Sequence, residues 1–251
     1  MHHERIGWLD LGVNCPDASH LTRFNTIGNR PEIRSFWQQK LARDAAEPQE
    51  IFVEATHLHA KAGLVENLDL VPEGTRVVLV AQRRDPLKIA WSFHNRFEFT
   101  NFGFTWLFTL DPRYRNVIVS SAPFGKYGAA GWAVWYVIEM ATRGEYYRLL
   151  TADMPNITVV PSALEEITQP QGAAALLEAI TEAPVQNVQI PPPANEQKVH
   201  FFDDVEKDKL KTMVGKFKWN ATELAQQFIS SGRRLATPVA EKKLDKTSDP
   251  G

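Results

Sequence analysis

The feature that most constrains the fold is the segment from Thr75 to Gln82, TRVVLVAQ, in which a nearly continuous apolar run is followed by two arginines and an Asp-Pro pair. A strand with one solvated face alternates apolar and polar residues, whereas a strand covered on both faces does not. The Asp-Pro pair then predicts a turn and the start of a helix that reaches about Arg96. The segment therefore predicts a buried strand, a sharp turn and a helix, which is the repeating unit of α/β proteins.

The same alternation of strand and helix patterns continues along the chain. Strands are predicted at Ile6–Val13, in EIFVEATHL from Glu50, inside RNVIVSSAPF and in NITVV, and helices at Pro31–Ala45, in AKAGLVENL and at Gly128–Leu150. This order predicts a three-layer α/β fold, in which a mainly parallel sheet is flanked by helices. We expect an α/β core at residues 1–182, a proline-rich linker at 183–197, a helical extension at 198–231 and a disordered tail at 232–251.

Composition narrows the class of protein. With 251 residues, 43% of them hydrophobic, the chain can bury a sizeable core, and a formal net charge of −2 gives no overall reason to expect a nucleic-acid partner. The most apolar helical stretch, from Gly128 to Ala141, is too short to span a bilayer of about 30 Å and contains Glu139. A single cysteine, Cys15, excludes an intrachain disulfide and fits a reducing compartment. We therefore expect a cytoplasmic protein without a membrane span; its oligomeric state stays open.

The turn after the Thr75–Gln82 strand is a candidate anion site. The first N–H groups of a helix are unpaired and the helix dipole favours negative charge, so the turn at Asp85 and Pro86 presents backbone donors. Arg84 lies at the strand end, and Ser92 follows eight residues later, two turns into the helix. Together they would form a phosphate clamp, with a charged fork from arginine and a neutral hydrogen bond from serine. An arginine at such a place is more often solvated or paired with the neighbouring aspartate.

Three segments of the sequence carry a family resemblance. They are the strand end at Arg84 with its Asp-Pro and Ser92, the upstream run EATHLHAKAGLVENLDLVPEGTRVVLVAQRRDP, and the later run FGKYGAAGWAVWYVIEM. In order and spacing they resemble the 3′-phosphate motif, the Thr-His-Leu strand end and the Tyr-Gly-x-x-x-x-Trp helix of sulfotransferases that use 3′-phosphoadenosine 5′-phosphosulfate (PAPS). The similarity covers roughly Val53 to Ile167.

The resemblance implies a fold, a reaction and several site residues. It implies the P-loop NTPase-like sulfotransferase fold and transfer of a sulfuryl group from PAPS to a hydroxyl of a small molecule or glycan, without a metal. Arg84 and Ser92 match the ligands of the 3′-phosphate, and His57 matches the catalytic base of the cytosolic branch. Histidine suits that role because its ordinary pKa of about 6.5 lets it accept a proton near neutral pH. His57 and His59 also form an H-x-H pair, which is compatible with metal binding or with a structural histidine at a strand end.

The loop after the first predicted strand departs from the family pattern. The family places Pro-Lys/Arg-Ser-Gly-Thr there, facing the 5′-phosphosulfate. This chain keeps Pro16 but has Asp17 in the basic position, Ser19 in place of glycine and His20 in place of threonine. A carboxylate at that point repels the donor. We predict that Asn14, Pro16, Ser19 and His20 still face the donor. The alternatives are a site for another nucleotide or sugar phosphate, or a non-catalytic binding or scaffold protein that has lost the donor site.

Overall fold

The computed structural model describes residues 24–54, 60–100, 110–192 and 200–235, in two compact units. The described part of the first unit comprises residues 24–54, 60–71, 114–117 and 233–235. The described part of the second comprises residues 72–100, 110–113, 118–192 and 200–232. The first predicted strand, Ile6–Val13, lies outside the described residues.

The first unit is built around helix α1, Pro31–Ala45, whose bounds agree with the prediction. Pro31 occupies the first turn, where its missing N–H has no helical partner to lose. Ile33, Phe36 and Trp37 form the buried face of the helix. The indole N–H of Trp37 donates to the carbonyl of Ala62 at 2.7 Å, which ties α1 to the segment that follows residue 59.

The predicted helix in AKAGLVENL is wrong in part, because only a 3-10 helix, Val65–Leu70, is present there. Gly63 has φ +87°, in the left-handed region that interrupts a right-handed helix. Asn67 then departs from helical geometry at φ −122°, and its side-chain amide donates to the Gly63 carbonyl at 2.6 Å. The side chain of Asn67 thus replaces the backbone hydrogen bonds that a continuous helix would have made.

The predicted strand from Glu50 is not formed in its described part, residues 50–54, and the rest falls on residues that the structure leaves undescribed. Ile51 and Val53 are more than half exposed, so they bury no apolar face against a sheet. Glu54 instead forms an ion pair with the buried Lys40 of α1 at 2.9 Å.

The second unit is α/β, with helices flanking a small parallel sheet. Within the described residues the sheet has two strands, β1 (Val77–Arg83) and β2 (Ile157–Ala163), in register from Val77–Ile157 to Arg83–Ala163. Three helices join the strands, namely α2 (Pro86–Asn95), α3 (Ala122–Gly125) and α4 (Gly128–Leu150). Parallel strands need such a helical crossover, as the alternating sequence pattern predicted.

The long helix α4 supplies more buried side chains to the second unit than any other described element. Its bounds, Gly128–Leu150, are those predicted from the sequence. Val134, Trp135 and Tyr146 are almost completely buried. The predicted strand inside RNVIVSSAPF is wrong, because residues 115–121 form bends and α3 follows. The Glu139 carboxylate of α4 accepts hydrogen bonds from the backbone of this segment instead of a neighbouring strand.

Four further helices belong to the described part of the second unit. Helices α5 (Leu164–Ile167) and α6 (Pro170–Thr181) follow β2, and the C-terminal pair is α7 (Asp204–Lys216) and α8 (Ala221–Ser230). Asp203 caps α7 by accepting from the Glu206 N–H at 3.0 Å. None of the helices in the described residues is long and apolar enough to cross a membrane.

Candidate anion-binding site at the carboxyl edge of β1

Helix α2 begins immediately after β1, as the Asp-Pro pair predicted. Asp85 is the N-cap residue, and its carboxylate accepts a hydrogen bond from the Lys88 N–H at 2.9 Å. Pro86 occupies the first turn. Because β1 and β2 are parallel and Arg83 pairs with Ala163, the starts of α2 and α5 lie at the same edge of the sheet. Ligands of α/β proteins bind at this carboxyl edge of the strands.

The two arginines at the end of β1 differ in their surroundings. Arg83 forms an ion pair with Glu145 of α4. Arg84 is exposed, and its side chain contacts no hydrogen-bond or ion-pair partner among the described residues. A guanidinium that is not already bound to a carboxylate is available to an external anion. The described structure thus leaves Arg84, rather than Arg83, available as a ligand.

Glu145 anchors Arg83 within a small network. Its side chain is largely buried and also accepts from Arg148 Nε at 3.0 Å and from the Thr222 hydroxyl at 3.2 Å. Burial by itself would raise the pKa of Glu145, but the hydrogen bond from Arg148 and the charge of Arg83 outweigh it, so the pKa is lowered. Glu145 therefore carries a negative charge at neutral pH and holds Arg83 in place.

A second carboxylate, that of Glu165 in α5, lies at the start of α2. It accepts from the Asp85 N–H at 3.4 Å and lies 3.5 Å from the Lys88 ammonium. The pKa of Glu165 is lowered, first by a hydrogen bond from its own backbone N–H and further by the contacts with Asp85 and Lys88. The amino end of α2 thus receives an internal anion, as a helix dipole favours.

Ser92 lies two turns into α2, and its side chain is half-buried. Its carbonyl accepts from the N–H of Arg96 at 3.2 Å, as expected in a helix, and its hydroxyl has no partner among the described residues. Arg84 and Ser92 lie on the same strand-turn-helix unit but do not contact each other. The remaining predicted site residues, Asn14, Pro16, Ser19, His20 and His57, lie outside the described residues.

A cationic cluster marks the start of α4. The Lys216 ammonium donates to the Tyr127 hydroxyl at 3.0 Å, and the Lys126 and Lys216 ammonium groups lie 5.1 and 5.5 Å from the centre of its ring. The hydrogen bond from Lys216, more than any other contact, lowers the pKa of Tyr127. Tyr127 belongs to the segment that resembles the Tyr-Gly helix of the sulfotransferases.

Sequence reasoning missed Glu145, Glu165 and Lys216 as neighbours of the predicted site residues. Glu165 follows β2 within SALEEI, and the rule that parallel strands end at one edge of a sheet could have found it. Lys216 is 89 residues away from Tyr127, and no local pattern links the two. Among the described residues, no group of three or more histidine, cysteine, aspartate or glutamate side chains is arranged to hold a metal ion.

Comparison with known proteins yields no match to a family model, to a curated protein or to a solved structure.

Proposed function

We propose that the chain is a PAPS-dependent sulfotransferase with a three-layer P-loop-like fold and an altered 5′-phosphosulfate loop. The observation that carries the proposal is the exposed Arg84 at the end of β1, without a partner among the described residues. It lies directly before a capped helix start, where a phosphate gains both a charged fork and the helix dipole. In the proposal this arginine and Ser92 bind the 3′-phosphate of the donor.

The order of elements supports the proposal. Strand β1, the arginine turn and α2 are followed by the Tyr127–Gly128 start of α4 and then by the parallel strand β2. This is the order in which the three similar segments occur in the sulfotransferases. The support is strongest for the donor half of the site, because Arg84, Ser92 and Tyr127 all lie in the described second unit.

The charges at the strand edge favour a phosphate at Arg84 over one at Arg83. The guanidinium of Arg83 is bound to Glu145, so an incoming phosphate would have to displace a buried carboxylate. A phosphate that binds Arg84 does not have to displace a carboxylate. Glu165 limits the positive potential at the start of α2, since it already accepts from the Asp85 N–H. Binding at this edge should therefore depend mainly on the Arg84 side chain.

The proposed reaction is transfer of a sulfuryl group to a hydroxyl of a small molecule or glycan. The acceptor oxygen forms a bond to sulfur while the bond from sulfur to the bridging phosphate oxygen breaks, and that electron pair leaves with 3′-phosphoadenosine 5′-phosphate (PAP). In the proposal His57 accepts the acceptor's proton, which makes the hydroxyl a better nucleophile. The loop with Asn14, Pro16, Ser19 and His20 faces the 5′ end of the donor. The single Cys15 is compatible with the cytoplasm as the place of action.

Calorimetric titration with PAP tests the donor half of the proposal. We expect PAP to bind and AMP, which lacks the 3′-phosphate, to bind at least tenfold more weakly. Replacement of Arg84 by alanine should weaken PAP binding roughly tenfold or more, the loss of at least one charged hydrogen bond. Arg76→Ala is the matched control, because Arg76 flanks the opposite end of β1 and forms a surface pair with Glu182. Equal affinity in the Arg84 and Arg76 variants would contradict the assignment.

The alternative function is a non-catalytic binding or scaffold protein that retains the α/β core. Asp17, in the position of the family's basic loop residue, is the observation that favours it. Under this alternative no PAP binds at millimolar concentration, and replacement of His57 leaves the biological activity unchanged. Binding of PAP that requires Arg84 would exclude it.

A further inference from the structure

One face of α2 is covered by the segment that leads into α7. Asn95 is completely buried, and its side-chain oxygen accepts from the Phe201 N–H at 2.7 Å and from the Phe202 N–H at 3.4 Å. Its side-chain nitrogen lies 3.3 Å from Nδ1 of His200. Asn95 thus fixes residues 200–202 on the helix. Residues 200–206, which comprise this segment and the first turn of α7, form the docked segment.

His94 lies beneath the docked segment in an unusual environment for a titratable group. Its side chain is 9% exposed, and its ring stacks on that of Phe202 at 4.4 Å with an interplanar angle of 15°. Neither ring nitrogen has a hydrogen-bond partner among the described residues. The nearest carboxylate oxygen belongs to Glu206 of α7, 3.7 Å from Nε2, which is too long for a hydrogen bond.

The groups around His94 favour its neutral form. Burial lowers the pKa of His94, and the charge of Glu206 opposes that effect only in part. Glu206 is itself shared with Lys209 at 3.1 Å. Within the docked segment, His200 lies against Asn95 and Trp91, and just beyond it Lys207 lies over the Trp91 ring at 5.9 Å. Helix α4 packs an aromatic ring, that of Tyr136, against Phe93 of α2.

We propose that His94 makes the docking of residues 200–206 onto α2 acid-sensitive, because its neutral ring fits under Phe202 and its protonated ring does not. A cation at this position would need an acceptor for each ring N–H, whereas the described residues around the ring provide only the distant Glu206 carboxylate. Release of the segment uncovers Trp91 and Asn95, which flank Ser92 on α2. The inference rests on the His94 cluster and does not depend on the proposed function.

The sign of the pH effect follows from proton linkage. When the segment is released, His94 is solvated and takes up a proton near its ordinary pKa of about 6.5. In the docked state the pKa is lower, so the released state binds more protons in the interval between the two values. The docking equilibrium is therefore nearly independent of pH well above pH 6.5, and it weakens as the pH falls between the two pKa values, by up to about tenfold per pH unit for one proton.

Hydrogen exchange of the Phe201 amide measures the docking equilibrium, because that N–H is bonded to the Asn95 side chain. After correction for intrinsic rates, we expect its protection to fall by up to about tenfold per pH unit below pH 6.5. Amides in the middle of α4 serve as the internal reference and should keep their protection. Protection of Phe201 that is independent of pH between 7.5 and 5 would overturn the proposal.

Two variants separate His94 from its titratable neighbour. His94→Phe keeps a ring to stack on Phe202 but cannot be protonated, so the pH dependence of the Phe201 amide should disappear. His200→Gln removes the other histidine and should retain the pH dependence of the wild-type chain. The reverse pattern would assign the effect to His200 and overturn the proposal. The pKa of His94 in the wild-type chain, followed by NMR of the imidazole, gives an answer even where a variant does not fold. A value at or above 6.5 also contradicts the proposal.

Discussion

Replacement of Glu139 should destabilise the second unit more than any surface substitution. Its carboxylate is completely buried in α4 and accepts from the Ile118 N–H at 3.1 Å, from the Val119 N–H at 2.7 Å and from Arg143 Nε at 2.8 Å. Arg143 is also completely buried. The side chain of Glu139 therefore joins a buried cation to a segment that has no strand partner in the described residues.

The magnitude follows from what Glu139→Ala removes. Loss of one partner of a buried ion pair costs about 3–5 kcal/mol, because the remaining charge stays in the interior. The buried Ile118 N–H and the part-buried Val119 N–H lose their acceptor as well, at up to about 1–3 kcal/mol for a buried group when nothing replaces it. These contributions overlap, so we expect a loss of at least about 4 kcal/mol in the free energy of unfolding. Domains have about 5–15 kcal/mol in total, so the variant should be barely stable.

Urea unfolding followed by far-UV circular dichroism measures this loss. With a slope of about 2 kcal/mol/M, the midpoint should fall by roughly 2 M. Glu73→Gln, in an exposed loop, is the control and should leave the free energy of unfolding within about 0.5 kcal/mol of wild type. Joint replacement of Glu139 and Arg143 by leucine should recover much of the loss, since no buried charge remains. A loss below about 1 kcal/mol for Glu139→Ala would refute the reasoning.

Two other predictions concern single residues of the second unit. Glu182, the C-cap of α6, has φ +57°, so Glu182→Gly should be more stable than Glu182→Ala by about 1 kcal/mol in urea unfolding; equal stability would contradict a strained cap. The pKa of Glu145 is lowered in the folded chain, so its ion pairs with Arg83 and Arg148 stabilise the fold. This stabilisation is fully present above about pH 4.5 and is lost as the pH falls further. Glu145→Gln should therefore flatten the acid side of the stability curve, and an unchanged curve would disprove the assignment.

Helices and strands that have a long apolar pattern, or a proline that marks their start, were predictable from the sequence. Helix α4 has the predicted bounds because its 23 residues contain no proline and are apolar enough to be buried on most sides. Pro31 and Pro86 fixed the starts of α1 and α2, since proline is compatible with the first turn of a helix. For β1 the prediction began two residues early, at Thr75, whose N–H bonds back to the Pro72 carbonyl in a turn.

Elements that depend on distant side chains were not predictable. The apolar run at residues 117–119 has the composition of a strand, but the Glu139 carboxylate takes up its N–H groups from 20 and 21 residues away. At Gly63 and Asn67 the effect is local, because a side-chain bond four residues back and a left-handed glycine convert a helical pattern into a turn and a 3-10 helix. A single sequence shows the composition of such a segment. It does not show which distant group will accept hydrogen bonds from the segment's backbone N–H groups.

The position of the candidate site was predictable from the sequence, whereas the ion pairs of its charged side chains were less predictable. The strand, turn and helix around Arg84 are present, and the guanidinium has no described partner. The prediction that the strand is buried on both faces is wrong, because no residue of β1 is buried and Val80 is exposed. The pairing of Arg83 with Glu145 and the approach of Glu165 to the Asp85 N–H depend on the packing of α4 and α5. These contacts decide which arginine is available to a ligand, and the local sequence does not contain that information.

The most direct test of the proposed donor site is the location of PAP on the chain. In amide NMR spectra of the ¹⁵N-labelled chain, the account predicts that PAP shifts the resonances of residues 84, 85, 87, 88 and 92, and that Arg84→Ala abolishes these shifts. Shifts confined to the Tyr127 cluster or to the first unit, or no shifts at millimolar PAP, would contradict a phosphate site at the carboxyl edge of β1.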